Sequence, residues 1–324
     1  MPQPTISDVH VDRPLTNLSV AYIQGAEAFV SGKVFPVVPV AQRSDEFYTY
    51  DIGDWTRVVA EKRAPGAPSA GGGYTIGTDN FFAQRYSVHD DVDDLTRANQ
   101  DQPLDADSDA TDWVTDQMLR LRERTWATQY FGTGVWGNQR DGVAAGPTGD
   151  EFLQWDQAGS TPVEDVSTQS IGVAELTGYR PNGIVTTPYV FNVLKNHPDI
   201  IDRIKYTQTG IVTEQILATL FDVQNFYVAW GISNTAEEGA TDDIQFMLGK
   251  HLLLYYSPPS PGIKVPSAGY TFAWTGLTGS AGEGIRIKRF RIEENESDRI
   301  EADMAWDQKK VADSLGVFFD SAVA

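Results

Sequence analysis

The sequence predicts an α+β protein with two cores, and three observations carry that prediction. Its 324 residues are 41% hydrophobic and 22% charged, a globular composition long enough for roughly two domains. Residues Asp109 to Phe131 contain neither proline nor glycine, the mark of one long helix. Between Val163 and Gly284, strand-like apolar runs alternate with helix-like stretches, as in an α/β unit.

Taken in order, residues Met1 to Val20 carry Pro2, Pro4 and Pro14 among polar residues and read as an extended arm. A short helix is expected within Leu18 to Val30. The run VFPVVPV, Val34 to Val40, holds two prolines that exclude a helix interior and a central strand, leaving an edge strand or a strap. Phe47 to Ile52 alternates, with Tyr48, Tyr50 and Ile52 on one side, and Tyr74 to Phe82 returns. Between them, Glu61 to Gly73 has two prolines, four glycines and no large apolar side chain. Such a tip packs no core. The whole reads as a projecting hairpin that needs a partner surface, since an isolated hairpin is marginal in water.

The acidic stretch after Tyr86 includes His89 beside Asp90 and Asp91, half of a metal site at most. Asp105, Asp107, Asp109 and Asp116 fall at calcium-loop spacing, but Ala110 stands where the loop requires glycine. Carboxylates ahead of a helix serve its dipole, and Asp109, Thr111 and Asp112 are placed to cap the long one. At 100° per residue, Trp113, Val114, Met118 and Leu121 share one face. Leu119, Trp126 and Tyr130 lie nearly opposite, so this helix is sandwiched. Arg120 and Arg124 sit between the faces, with Asp116 and Glu123 as candidate partners.

Helices are predicted over Pro162–Thr177, from Pro188 to Pro198 and over Thr213–Phe221, with strands at Gly183–Thr187, Asn225–Trp230, His251–Tyr256 and Tyr270–Trp274. A second hairpin spans Gly284 to Trp306, basic on its first strand and acidic on its second. Folding it about Asn295–Ser297 sets Arg291 near Glu301 and Arg289 near Asp303.

Function is bounded mostly by exclusion. There is no cysteine, hence no disulfide, thiolate metal site or cysteine nucleophile. Phosphate-loop, dinucleotide, GxSxG and HExxH patterns are missing, and the four histidines are scattered. No catalytic, cofactor-binding or metal residue is assigned, and the chain reads as a non-enzyme. No signal peptide or membrane-spanning run is visible, which predicts a soluble chain made in the cytosol. A net charge of −20 argues against a nucleic-acid reader. It suits a soluble protein and is compatible with a container whose acidic wall repels its contents.

The order of parts resembles the major capsid protein of tailed bacteriophages, the Hong Kong 97-type shell fold. The resemblance rests on Val34–Trp55, VFPVVPVAQRSDEFYTYDIGDW, on Arg63–Ile76, RAPGAPSAGGGYTI, and on Val185–Lys205, VTTPYVFNVLKNHPDIIDRIK. It implies an N-terminal arm (1–42), an extended loop (43–85), a peripheral domain (86–161 with 284–316) around a spine helix (109–131), an axial domain (163–283) and a C-terminal tail (317–324). It further implies hexamers and pentamers in an icosahedral shell around phage double-stranded DNA, assembled in the host cytoplasm. Portal and scaffolding proteins, an optional decoration protein and non-specifically contacted DNA would be the partners, without a cofactor or a membrane. Some members carry a scaffolding segment ahead of the arm; here the arm begins almost at Met1, which implies separate scaffolding or a mature form. Some also crosslink a hairpin lysine; Lys62 lies at the tip, but no motif marks its partner. Inter-subunit contact is expected at Lys62, Arg63, Tyr48, Tyr50 and Tyr74 on the hairpin and at Trp126 and Tyr130 on the spine. The alternatives are an encapsulin-like nanocompartment shell, a hydrolase with a spatially assembled site, and a β-rich surface-binding protein.

Overall fold

The computed structural model describes residues 25–100, 104–205, 212–262, 264–278 and 285–324. The expected arm of Met1 to Val20 therefore lies outside the described residues. The first part of the chain contains α1 (Ser31–Val34), β1 (Val37–Val40), β2 (Ser44–Tyr50), α2 (Ile52–Thr56), β3 (Ile76–Phe82), β4 (Gln84–Asp93), α3 (Asp94–Asn99) and α4 (Ala106–Tyr130). Next come β5 (Gln139–Val143), β6 (Glu151–Leu153), α5 (Pro162–Thr177), β7 (Gly183–Thr186), α6 (Pro188–Asn196), α7 (Pro198–Ile204) and α8 (Glu214–Leu220). The remainder holds β8 (Asn225–Val228), β9 (Ile232–Asn234), β10 (Ile244–Phe246), β11 (Leu252–Tyr255), β12 (Gly269–Trp274), α9 (Thr275–Thr278), β13 (Arg286–Ile292), β14 (Ser297–Lys310) and β15 (Gly316–Asp320).

Two main sheets divide the molecule. In the peripheral sheet, the long strand β14 pairs with β4 along one edge. Its other edge takes β13 at one end and β12 at the other. Parallel β1 lies beyond β12. Pro39 fits there because an edge strand needs no donor on its open side. The axial sheet runs β6-β5-β15-β11-β7-β8. The strand–helix alternation read from sequence is present, with α5 spanning Pro162–Thr177 and stopping at Gly178 in the left-handed region (φ 75°). Pro198 ends α6, as expected, and also opens α7 at a favoured first position.

Three boundaries differ from the sequence reading. The expected tail, 317–324, contains β15, a central strand whose Val317, Phe318 and Phe319 are buried. Residues 139–153, assigned to the peripheral domain, pair with it as β5 and β6. Conversely β12, assigned to the axial domain, completes the peripheral sheet. These pairings join segments far apart in sequence, which local periodicity does not report.

The spine helix α4 links the two cores. Its first half lays Ala110, Val114 and Met118 on Val92, Ile300, Ala302, Met304 and Trp306 of the peripheral sheet. Its second half sends Trp126 and Ala127 into the axial core. The helix begins three residues before the expected start, and its cap is Asp105, whose carboxylate accepts from the N–H groups of Asp107 and Ser108. The calcium-loop spacing is therefore helix from Ala106 onward, with Asp107 bonded to Arg97 and Arg289. Trp113 and Leu121 were expected on the buried face but are exposed at 45% and 36%. Among the described residues, no helix is long and apolar enough to cross a membrane.

Candidate assembly surface

The hairpin of β2 and β3 has two unlike halves. Its strands pair from Ser44↔Phe82 to Tyr50↔Ile76. At the base, Phe81 stacks on Phe272 of β12 with ring centroids 4.4 Å apart, and Phe47 stacks on the same ring at 5.4 Å. The Arg43 guanidinium covers Phe82 and donates to the Ala83 carbonyl. Beyond that anchor the hairpin projects, with the Lys264 ammonium over the Tyr50 ring at 5.8 Å. Tyr50, Trp55 and Tyr74 form a ring cluster with centroids 5.4 to 6.2 Å apart. Trp55 and Tyr74 are more than half exposed, as is Tyr48, and Val58 is 90% exposed.

Local chemistry holds this distal half in shape. Asp51 caps α2 by accepting from Gly53 N–H. The Asp54 carboxylate accepts from Thr75 N–H at 2.8 Å, tying the two sides together. That backbone bond, with the Thr75 hydroxyl and Arg57 adding to it, holds Asp54 below the ordinary carboxylate range. The tip from 57 to 73 is exposed nearly throughout, with Arg57, Lys62 and Arg63 in no ion pair among the described residues. Tyr48, Tyr50, Tyr74, Lys62 and Arg63 thus come together on one projection. Sequence reading missed Trp55, Val58 and Val59 there, although three large apolar residues just ahead of a Gly/Pro tip were the available signal.

Trp126 and Tyr130 are placed differently. Trp126 is fully buried within its own chain, edge-on to Phe35 at 5.9 Å. Tyr130 lies 5.0 Å from the same ring, and its hydroxyl donates to the Gln308 carbonyl. The second face of the spine is covered by the chain's own segment Phe29–Phe35. Glu123 locks that segment in place: its carboxylate accepts from Val30 N–H at 3.0 Å and from Ser31 N–H at 2.8 Å, so it caps α1 from another element. Burial pushes the Glu123 carboxyl up, opposed by these bonds and by Arg122. Arg120 bonds Asp116 and the Ile232 carbonyl. A cleft of about 960 Å³ beside it is lined by Asp90, Asp109, Trp113, Leu121 and Arg124.

The closing hairpin has a register other than the expected one. Asp303 lies opposite Arg286 and Glu301 opposite Lys288, while Arg289 and Arg291 face Ile300 and Asp298. Arg289 bonds Asp298 and Asp107, and Arg291 bonds Asp94 through both terminal nitrogens. The cause is Asp303. Its side chain is inaccessible and is bonded by Arg85 at 2.7 Å, Arg286 at 2.8 Å, Lys288 at 2.6 Å and Ser87. A buried carboxylate without such partners would be strongly unfavourable. Burial works to raise its pKa, but Lys288, Ser87, Arg286 and Arg85 outweigh burial and hold it well below the usual range. The turn is also tighter than expected, a single 3-10 turn at Glu293–Asn295 followed by Glu296 at φ 49°.

No arrangement suited to catalysis emerges among the described residues. No group of three or more His, Asp or Glu side chains is placed to hold a metal, and Asp91 beside His89 is committed to Arg299. Ser160 Oγ lies 3.0 Å from His197 Nε2, but His197 Nδ1 accepts the Asp199 N–H. The proton is then on Nε2, which donates to the serine and so is no base for it.

No protein-family model matches the chain. Over 268 residues it is 25% identical to the major capsid protein of the Burkholderia phage BcepMu, covering 81% of this chain and 82% of that protein. The chain has the Hong Kong 97-type capsid fold. Among solved structures it resembles a phage-related protein from Bordetella bronchiseptica RB50, with a TM-score of 0.67, 22% identity, and coverage of 91% of this chain and 92% of that one. The capsid of cyanophage P-SCSP1u shares the fold at a TM-score of 0.59 and 9% identity, covering 98% and 95% of the two chains.

In a capsid protein, a projection that is apolar and exposed in the single chain is the expected form of a contact between copies. Soluble monomers avoid large exposed apolar patches, and the aromatic residues of this hairpin are open to solvent in the single chain.

Proposed function

We propose that many copies of this chain form hexamers and pentamers that close an icosahedral shell around the double-stranded DNA of a tailed phage. The hairpin carries this reading: its base is anchored on Phe272, while Tyr48, Trp55, Tyr74 and Val58 stay open to solvent. Its distal half packs on a neighbouring subunit, with Lys62 and Arg63 contacting that subunit at the rim. Portal and scaffolding proteins complete the particle, a decoration protein is an optional addition, and assembly takes place in the host cytoplasm. DNA is contacted without sequence preference and weakly, because a net charge of −20 repels phosphate and Arg120 is already committed to Asp116. An encapsulin-like compartment would share the fold and differ in its contents; the phage relative favours the viral shell.

Expression of the chain together with its phage's scaffolding protein, followed by negative-stain microscopy, tests the reading. Closed particles of uniform diameter are expected, and nuclease-protected DNA is expected in particles purified from lysates. A chain that stays monomeric under these conditions would contradict it.

A further inference from the structure

We propose that His197 is an acid-sensitive latch of the axial unit, holding α7 against the 155–161 turn only while its imidazole is neutral. His197 is the residue between two helices: it ends α6 and caps α7. Its ring is buried, and both nitrogens are used. Nδ1 accepts the Asp199 N–H at 3.2 Å, the side-chain cap of α7. Nε2 lies 3.0 Å from Ser160 Oγ. The serine hydroxyl has one proton, and the Gln157 carbonyl takes it at 2.7 Å, with the Trp155 carbonyl 3.2 Å away. Nε2 must therefore be the donor to Ser160. Only the neutral tautomer protonated on Nε2 satisfies all these contacts.

An imidazolium would place a second proton on Nδ1, directly against the Asp199 N–H. The cap would be lost, and a cation would be left in a buried site. The elements that meet at the ring carry Asp156 on the turn, Glu164 and Asp165 on α5, Lys195 on α6, and Asp199 and Arg203 on α7, and of these Asp199 and Glu164 act on the imidazole. Asp165 is occupied by Trp155 Nε1–H at 3.0 Å. Asp199 and Glu164 favour the cation, but Arg203 bonds both of them. Burial outweighs them and lowers the pKa of His197. A base whose folded pKa is depressed contributes stability that is complete above its unfolded pKa, about 6.5. That contribution is lost as pH falls below it towards the folded value. Acid therefore loosens the α6–α7 junction of the axial unit while the peripheral sheet is still intact.

Hydrogen exchange read by mass spectrometry on the full chain, assembled or free, tests the latch. After correction for intrinsic rates, amides of 199–201 should exchange several-fold faster at pH 5 than at pH 7, with the β4–β14 amides unchanged. His197→Asn supplies a neutral capping side chain and should abolish that pH dependence. Should the variant fail to fold, exchange at the imidazole C2 position of the wild-type chain decides, since it reports the pKa of each histidine. A His197 midpoint below that of an exposed histidine, coinciding with the loss of 199–201 protection, supports the latch. A His197 midpoint at the ordinary value, unchanged protection at pH 5, or the same acid loss in His197→Asn would overturn it.

Discussion

The spine helix and the distal hairpin are built from the same kinds of residue and end in opposite states. Each presents tryptophan and tyrosine on a surface that its neighbours in sequence do not cover. On the spine, Trp126 and Tyr130 are covered by Phe35, which Glu123 brings in by capping α1. On the hairpin, Trp55 and Tyr74 touch Tyr50 and otherwise face solvent. An aromatic stripe in this chain is therefore not by itself an interface. What separates the two is whether a segment of the same chain is pinned over the stripe. The spine is finished within one subunit, whereas the distal hairpin is left open in the single chain, and the proposed shell supplies its cover.

The sharpest contrast is between two tryptophans. Trp126→Ala should destabilise the free subunit by about 3–5 kcal/mol, since a fully buried aromatic is removed. Trp55→Ala should change free-subunit stability by less than about 0.5 kcal/mol and still reduce particle yield. Denaturant melts of unassembled protein, set beside particle counts, check both. Equal effects on stability would erase the distinction.

A smaller effect is expected at Asp303, which fastens the peripheral sheet without any neighbour. Asp303→Asn should cost about 1–3 kcal/mol by leaving Arg85, Arg286 and Lys288 without their shared carboxylate. Asp91, Asp94, Asp298 and Asp303 are all held below the ordinary range, in the first three chiefly by a bonded arginine. Such groups contribute stability that is complete above their unfolded pKa, near 4, and is lost as pH falls towards the folded values. Acid melts of the peripheral sheet should therefore shift below about pH 4, and less so in Asp303→Asn.

The smallest effect tests register. In double-mutant cycles, Arg286 should couple to Asp303, and Arg289 should couple to Asp298 but not to Asp303. The partly exposed Arg289–Asp298 pair carries no more than about 1 kcal/mol, and the coupling to the inaccessible Asp303 side chain should be the larger of the two. Coupling between Arg289 and Asp303 would restore the register that charge pattern alone suggested.

Much of the fold was legible because its signals are local. Proline and glycine punctuation marked α5, α6 and the hairpin tip, and the gap in both residues marked the spine. The illegible parts depend on distant partners. Gly316–Asp320 reads as a tail until β11 and β5 flank it. The closing register depends on Arg85 and Ser87, which lie on β4, outside that hairpin. Trp113 and Leu121 share a helical face with Val114, yet of the three only Val114 packs into the peripheral core. At the hairpin, the exposed tyrosines were legible from alternation, while Trp55 was not, because Ile52–Thr56 turns into a helix capped by Asp51.

The distal hairpin is open to solvent in the single subunit, and the proposed shell covers it. Hydroxyl-radical footprinting of the same protein, free and assembled, measures this directly. Labelling of Tyr48, Trp55 and Tyr74 should fall several-fold on assembly, while Trp126 stays protected in both states. Equal labelling of the hairpin aromatics before and after assembly, or strong labelling of Trp126 in the free subunit, would contradict the account.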